Sequence, residues 1–191
     1  VDGSDTAPAP LYTLGHGART IEAFVAVLTE PGIDVLVDVR RFPGSRRHPQ
    51  FGRDALAAEL TGHGIRYEWH GDELGGRRGR RPDTRHTALV NASFGGYADH
   101  MDTPGFRTAV AELITRTGEG EQLAVLCAET LWWRCHRSFI ADAVACHGRD
   151  VVHLLDVGRR ESHRARPTLR CSDDDGWPVY DVPDTLPLDE A

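Results

Sequence analysis

The chain has 191 residues, 40% hydrophobic and 27% charged, which fits one globular domain with a full core and excludes a disordered chain. No apolar run approaches the ~20 residues needed to cross a bilayer, so no membrane partner is expected. The formal net charge of −7 equals the charge of residues 173–191 alone, where Asp173, Asp174, Asp175, Asp181, Asp184, Asp189 and Glu190 meet no basic residue, so the body is near neutral.

Val1 to Pro10 is polar and contains prolines, and reads as a flexible arm rather than a signal peptide. Leu11 to Leu14 reads as a strand that ends in Gly15-His16-Gly17. Thr20 is suited to cap a helix from Ile21 to Thr29, whose Ile21, Phe24, Val25 and Leu28 share one face; Pro31-Gly32 stops it. Ile33 to Val39 is a β-branched strand, parallel to the first. Arg40 to Gly52 is a loop rich in Arg, Pro and Gly. Arg53 to Thr61 reads as a helix and Ile65 to Trp69 as a strand. The long connection from Gly71 to Asn91 is of a length that is usually functional or disordered.

Helical patterning returns over Phe94 to Met101 and Pro104 to Thr115. Gln122 to Leu126 is an apolar strand. Cys127 to Arg137 forms a junction before a helix from Ser138 to Val144, and Val151 to Leu155 is a further strand. This alternation predicts a three-layer, Rossmann-like, doubly wound α/β fold with a mostly parallel sheet of about five strands over residues 11–156. Residues 157–191 read as a peripheral tail, Arg-rich and then acidic, with a hairpin around Val179 to Val182.

Cys127, Cys135, Cys146 and Cys171 lack the context of a small secreted domain, so reduced thiols and a cytoplasmic location are expected. Seven residues separate Cys127 from Cys135, against the two to four common in zinc knuckles. A metal site using Cys127, Cys135 and His136 is a minor alternative on that spacing.

If the strands are parallel, three loops meet at one sheet edge, where open α/β sheets bind ligands. The first carries His16, a ligand contact or acid/base group. The second carries Asp38, Arg40 and Ser45. Asp38 and Arg40 share a strand face and form either a buried ion pair or an anion clamp. The third carries Cys127, a nucleophile if the helix start and Arg134 or Arg137 stabilise its thiolate, and Glu129 and His136, suited to proton transfer. Trp132 and Trp133 offer stacking faces. Arg40 to Arg85 holds eleven arginines against six acids, and the Arg77-Arg78-Gly79-Arg80-Arg81 loop suits phosphate-backbone contact.

Thr13-Leu14-Gly15-His16, Leu36-Val37-Asp38-Val39-Arg40 with Phe42-Pro43-Gly44-Ser45, Leu74-Gly75-Gly76, Phe94-Gly95-Gly96-Tyr97-Ala98 with Met101, and Leu126-Cys127-Ala128-Glu129 with Cys135-His136-Arg137 occur in that order. In this set the chain resembles the bacterial and archaeal family catalogued as domain of unknown function 488. The resemblance implies a compact α/β fold and a shared site, and no particular reaction. Gly17 stands where that family usually has a small hydroxyl residue.

The residues point to an enzyme, a hydrolase or transferase, acting on a phosphate-bearing nucleotide or nucleic acid. Cys127, Glu129, His136 and His16 are the catalytic candidates. Arg40, Asp38, Ser45, Arg134, Arg137, Trp132 and Trp133 are the substrate-binding candidates, and Arg77, Arg78, Arg80 and Arg81 the nucleic-acid contacts. Two alternatives stay open: a non-catalytic nucleic-acid-binding or regulatory module, and a thiol or metal (Fe/Zn) redox protein. No cofactor is singled out, and the expected partner is an anionic small molecule or a nucleic acid.

Overall fold

Strands buried on both faces need unbroken apolar runs, because neither face meets water. In a computed structural model, which describes residues 8–44 and 46–181, three such runs form the sheet centre. β1 (Leu11–Gly15), β2 (Val35–Asp38) and β4 (Leu123–Cys127) are buried at every position. β3 (Arg66–Trp69) extends the sheet parallel to β2, and β5 (Val151–Asp156) lies parallel to β1. A sixth strand, β6 (Arg159–Ser162), pairs antiparallel with β5 and completes the order β3-β2-β4-β1-β5-β6.

Helices cover both faces. α1 (Ile21–Thr29) and α2 (Arg53–Gly62) bury Phe24, Leu28, Leu56 and Leu60 against Leu14, Leu36 and Leu126. Thr20 Oγ1 accepts from the Ala23 N–H, which fixes the start of α1 at the expected residue. A single turn, α3 (Gly71–Leu74), follows β3. On the opposite face, α4 (Ala92–Met101), α5 (Pro104–Gly118) and α6 (Arg137–Cys146) bury Tyr97, Phe106, Val110 and Phe139 against Val37 and Val125. The result is a three-layer α/β fold with a mostly parallel sheet. Among the described residues, no helix is long and apolar enough to cross a membrane.

The chain after Asp156, read from sequence as peripheral, contributes to both sheet and core. β6 forms the sheet edge, and β7 (Leu169–Cys171) and β8 (Pro178–Tyr180) make a separate two-stranded sheet. Tyr180 is fully buried against Phe139, and its hydroxyl donates to Asp142 Oδ2 at 2.8 Å. Most of the expected N-terminal arm, Val182 of the expected hairpin and the acidic residues Asp184, Asp189 and Glu190 lie outside the described residues.

The expectation of four reduced thiols is corrected. Cys146, at the end of α6, is disulfide-bonded to Cys171 in β7, with a Cα–Cα distance of 5.5 Å. Only the docking of β7 beside α6 brings together two residues 25 positions apart, so spacing alone could not reveal the pair. Cys146→Ser, or reduction, is expected to lower unfolding free energy by about 3 kcal/mol, from the chain entropy the closed loop removes. Denaturant titration with and without reductant measures it. Four free thiols titrating in the unreduced, denatured protein would show that the bond does not form.

Candidate functional site

β4 lies between β1 and β2, with Cys127 opposite Gly15 and Leu126 opposite Asp38. The loops that leave these three strands therefore emerge together at one edge, as the parallel reading requires.

The loop after β4 is held by Arg137. This side chain is 1% exposed, and its guanidinium donates to the carbonyls of Glu129 and Thr130, the latter at 2.8 Å. Arg137, read from sequence as a binding residue, thus shapes the loop from beneath and does not line the pocket. Gly15 makes the packing feasible: a Cβ there would lie 1.8 Å from the Glu129 carbonyl oxygen. At Gly17, with φ of +55°, the space a side chain would take holds Thr130 Oγ1.

Asp38 and Arg40 form the buried ion pair. Arg40 Nε donates to Oδ1 at 2.9 Å and its terminal nitrogen to Oδ2 at 2.5 Å. Tyr67 Oη adds a donor to Oδ2 at 2.7 Å, and Arg40 donates to the Phe51 carbonyl at 2.9 Å. With its donors engaged, Arg40 forms part of the pocket wall, and Asp38 is fully buried behind it.

His16 is also buried. It is stacked on Phe51 with ring centroids 4.4 Å apart, and its Nδ1 lies 2.9 Å from the Gly17 carbonyl. Burial lowers its pKa below the ordinary imidazole value. Trp132 turns away from the edge, stacks on His153 at 4.1 Å and donates to Glu161 at 3.2 Å. Trp133 is half exposed beside it. His16, Asp38, Trp132, Trp133 and Arg137 thus do not line the pocket formed at this edge, and Ser45 lies outside the described residues.

The pocket holds about 370 Å³. Its wall brings together the expected Arg40, Arg77, Cys127, Glu129, Arg134 and His136 with Arg41, Phe42, Gly76, Phe94, Tyr97 and Cys135. Phe42 is 63% exposed and flanked by the guanidinium groups of Arg41 and Arg77, 5.5 and 5.7 Å from its ring centre. Such an arrangement presents one aromatic face framed by two positive charges. Arg77 adopts a left-handed φ of 60°, unusual for a residue with a side chain. The rest of its loop is tied down: Arg78 donates to the Gly75 carbonyl at 2.9 Å, Arg80 to Leu89 at 2.7 Å, and Arg81 pairs with Asp83 at 2.9 Å. Gly96 lets this loop press on α4, because a Cβ there would meet the Arg78 carbonyl at 2.3 Å.

Two sulfurs and an imidazole form the pocket floor. Cys127 ends β4, Cys135 follows a 3-10 turn at Trp132–Arg134, and His136 begins α6. Both cysteines are free and buried. His136 Nδ1 lies 3.8 Å from each Sγ, and its Nε2 lies 3.3 Å from the Val39 carbonyl. The Tyr97 ring packs on the imidazole at 5.0 Å while its hydroxyl donates to Leu74 at 2.7 Å. Cys127 is held well below the ordinary thiol range, chiefly because Cys135 donates to it, with the Arg137 guanidinium adding positive charge. Burial pushes Cys135 well above that range. Glu129 is exposed at the lip.

The sequence profile of domain of unknown function DUF488 matches residues 20–144. The chain belongs to that family. The match spans α1 to α6 and includes the whole pocket wall. No curated protein and no solved structure matches the chain.

Reading site residues from strand ends missed Arg41, Phe42, Phe94 and Tyr97. A signal for them was present: Phe42-Pro43-Gly44 and Phe94-Gly95-Gly96-Tyr97 are among the segments that carry the DUF488 resemblance. Their positions beside the floor depend on how α4 and the 40–44 loop fold back over β4.

Proposed function

We propose that this DUF488 protein is an enzyme that acts by hydrolysis or group transfer on a phosphate-bearing nucleotide. The observation that carries the reading is the composition of one pocket: guanidinium groups and the exposed Phe42 ring at the rim, Phe94 in the wall, and titratable sulfur and nitrogen at the floor. Arg41, Arg77 and Arg134 would hold the phosphate, since planar guanidinium forks match its oxygens. Phe42 and Phe94 would flank the base. Glu129 stands at the lip, where a carboxylate in contact with water is suited to move a proton. The reacting centre would lie at the Cys127, Cys135 and His136 floor.

The volume suits a small ligand better than a polymer. The internal hydrogen bonds of Arg78, Arg80 and Arg81 also leave less of that loop for phosphate-backbone contact than the sequence suggests. Both points favour a nucleotide over the non-catalytic nucleic-acid module.

Thermal-shift titration with nucleoside mono-, di- and triphosphates tests the reading, followed by product analysis of any that bind. Stabilisation by a nucleotide that is lost in Arg134→Ala, and turnover that is lost in Glu129→Gln with binding kept, are the expected results. No shift with any phosphate-bearing compound would sink it.

A further inference from the structure

We propose that Cys127, Cys135 and His136 bind one zinc ion, with its fourth coordination position open to the pocket. The three donor atoms lie within 4.8 Å of one another, and both sulfur-to-Nδ1 distances are 3.8 Å. Around tetrahedral zinc, with Zn–S of about 2.3 Å and Zn–N of about 2.0 Å, donors stand roughly 3.5–3.8 Å apart. The ion therefore fits between them with shifts of a fraction of an ångström. Two thiolates and one imidazole are the soft donor set that selects zinc over oxygen-seeking cations.

The imidazole is already oriented as a ligand. Its Nε2 points at the Val39 carbonyl at 3.3 Å, and an N–H donated there leaves the Nδ1 lone pair facing the sulfurs. Cys127 is fixed by β4, while Cys135 and His136 are fixed by the start of α6. This explains why the seven-residue gap fails the knuckle spacing. A strand end and a helix start hold the ligands, and no tight knuckle turn is needed. Gly76 keeps the approach clear, since a Cβ there would stand 3.0 Å from Nδ1.

No fourth cysteine, histidine or carboxylate joins the group among the described residues. Three protein ligands with one open position is the arrangement of reactive rather than structural zinc. Water or a substrate oxygen would take that position. This last assignment rests on reading the pocket as a substrate site; the ion itself does not.

The 191-residue chain is stripped with a chelator and reloaded with zinc or cobalt. One ion per chain is expected, with sulfur-to-cobalt charge-transfer absorption. Zinc should shield Cys127 and Cys135 from iodoacetamide in the folded wild-type protein, a readout that needs no variant. Cys135→Ser should weaken binding beyond the roughly 10–100-fold cost of losing an outer hydrogen-bond partner. Glu129→Gln, outside the ligand set, should bind zinc as the wild type does. Equal alkylation with and without zinc, or an unchanged cobalt spectrum in Cys127→Ser, would overturn the site. Zinc binding without any nucleotide response supports the ion and removes only the pocket's substrate reading. A nucleotide response in protein that binds no zinc overturns the ion alone.

Discussion

Asp38→Ala is expected to destabilise the protein by roughly 3–5 kcal/mol, the range for removing one partner of a buried ion pair. The loss exceeds that of one contact because Asp38 accepts from four donors. These are two guanidinium nitrogens of Arg40, the Arg40 backbone N–H at 2.9 Å and Tyr67 Oη. Without the carboxylate, Arg40 keeps a charge at a position only 7% exposed, and Tyr67 loses its acceptor. Arg40 also lines the pocket, so ligand binding should weaken along with stability. Asp38→Asn, which keeps the shape and loses the charge, should fall between wild type and Asp38→Ala. Denaturant unfolding of the three proteins measures the series. A change within about 0.5 kcal/mol for Asp38→Ala, the size of an ordinary surface substitution, would show that Arg40 is not held there.

The second large effect is acid sensitivity above the carboxylate range. His153 sits under Trp132, with Nδ1 2.7 Å from Thr13 Oγ1 and Nε2 3.0 Å from His163 Nδ1. Burial, with the nearby His163 and Arg137 adding to it, lowers its pKa from 6.5 to about 3. The folded state thus resists a proton that the unfolded chain accepts below pH 6.5. Stability is full above that pH and falls as pH drops towards 3, with a total loss on the order of 4 kcal/mol.

Burial lowers the pKa of His16 and His100 too, so they act in the same direction. Glu68, held at about 2 by Arg116 and, less strongly, Arg66, adds its loss only below its ordinary 4.5. The slope between pH 6.5 and 4.5 therefore isolates the histidines. Unfolding free energies over that window should be flatter in His153→Gln than in wild type. Parallel slopes would mean that His153 is protonated in the native protein.

His163 carries the same network to Asp142 at 2.9 Å, and Asp142 holds Arg166 at 2.6 Å and Tyr180. The chain after β5 is thereby docked onto α6, the helix whose first turn presents His136. That explains why residues read as a peripheral tail are half structural. Their apolar content is low, and a polar network and a disulfide fix them instead of a hydrophobic stripe. Sequence periodicity registers apolar faces and does not register such networks.

The strands and helices were legible because each carries its own local signal. Thr20 caps α1 where expected, Gly32 closes it, and the uninterrupted apolar runs of β2 and β4 announced strands covered on both faces. The convergence of Gly15, Asp38 and Cys127 was also readable, since parallel strands place their carboxyl ends at one edge. The roles of individual side chains at that edge were not. Trp132 and Trp133 are neighbours in sequence, yet one stacks on His153 while the other meets solvent. Arg134 and Arg137 differ by three positions, yet one lines the pocket and the other is buried beneath the loop.

The sequence by itself determined the α/β alternation, the family, and the sheet edge where the candidate site lies, because periodicity and motif order are properties of the chain read in one dimension. Tertiary structure alone decided that Phe42 and Phe94 join the pocket wall, that Arg137 holds loop carbonyls, that Cys146 meets Cys171, and that Cys127, Cys135 and His136 point at one centre. Each of these depends on which way a side chain turns when distant segments pack, and close packing selects that direction only once the neighbours are in place.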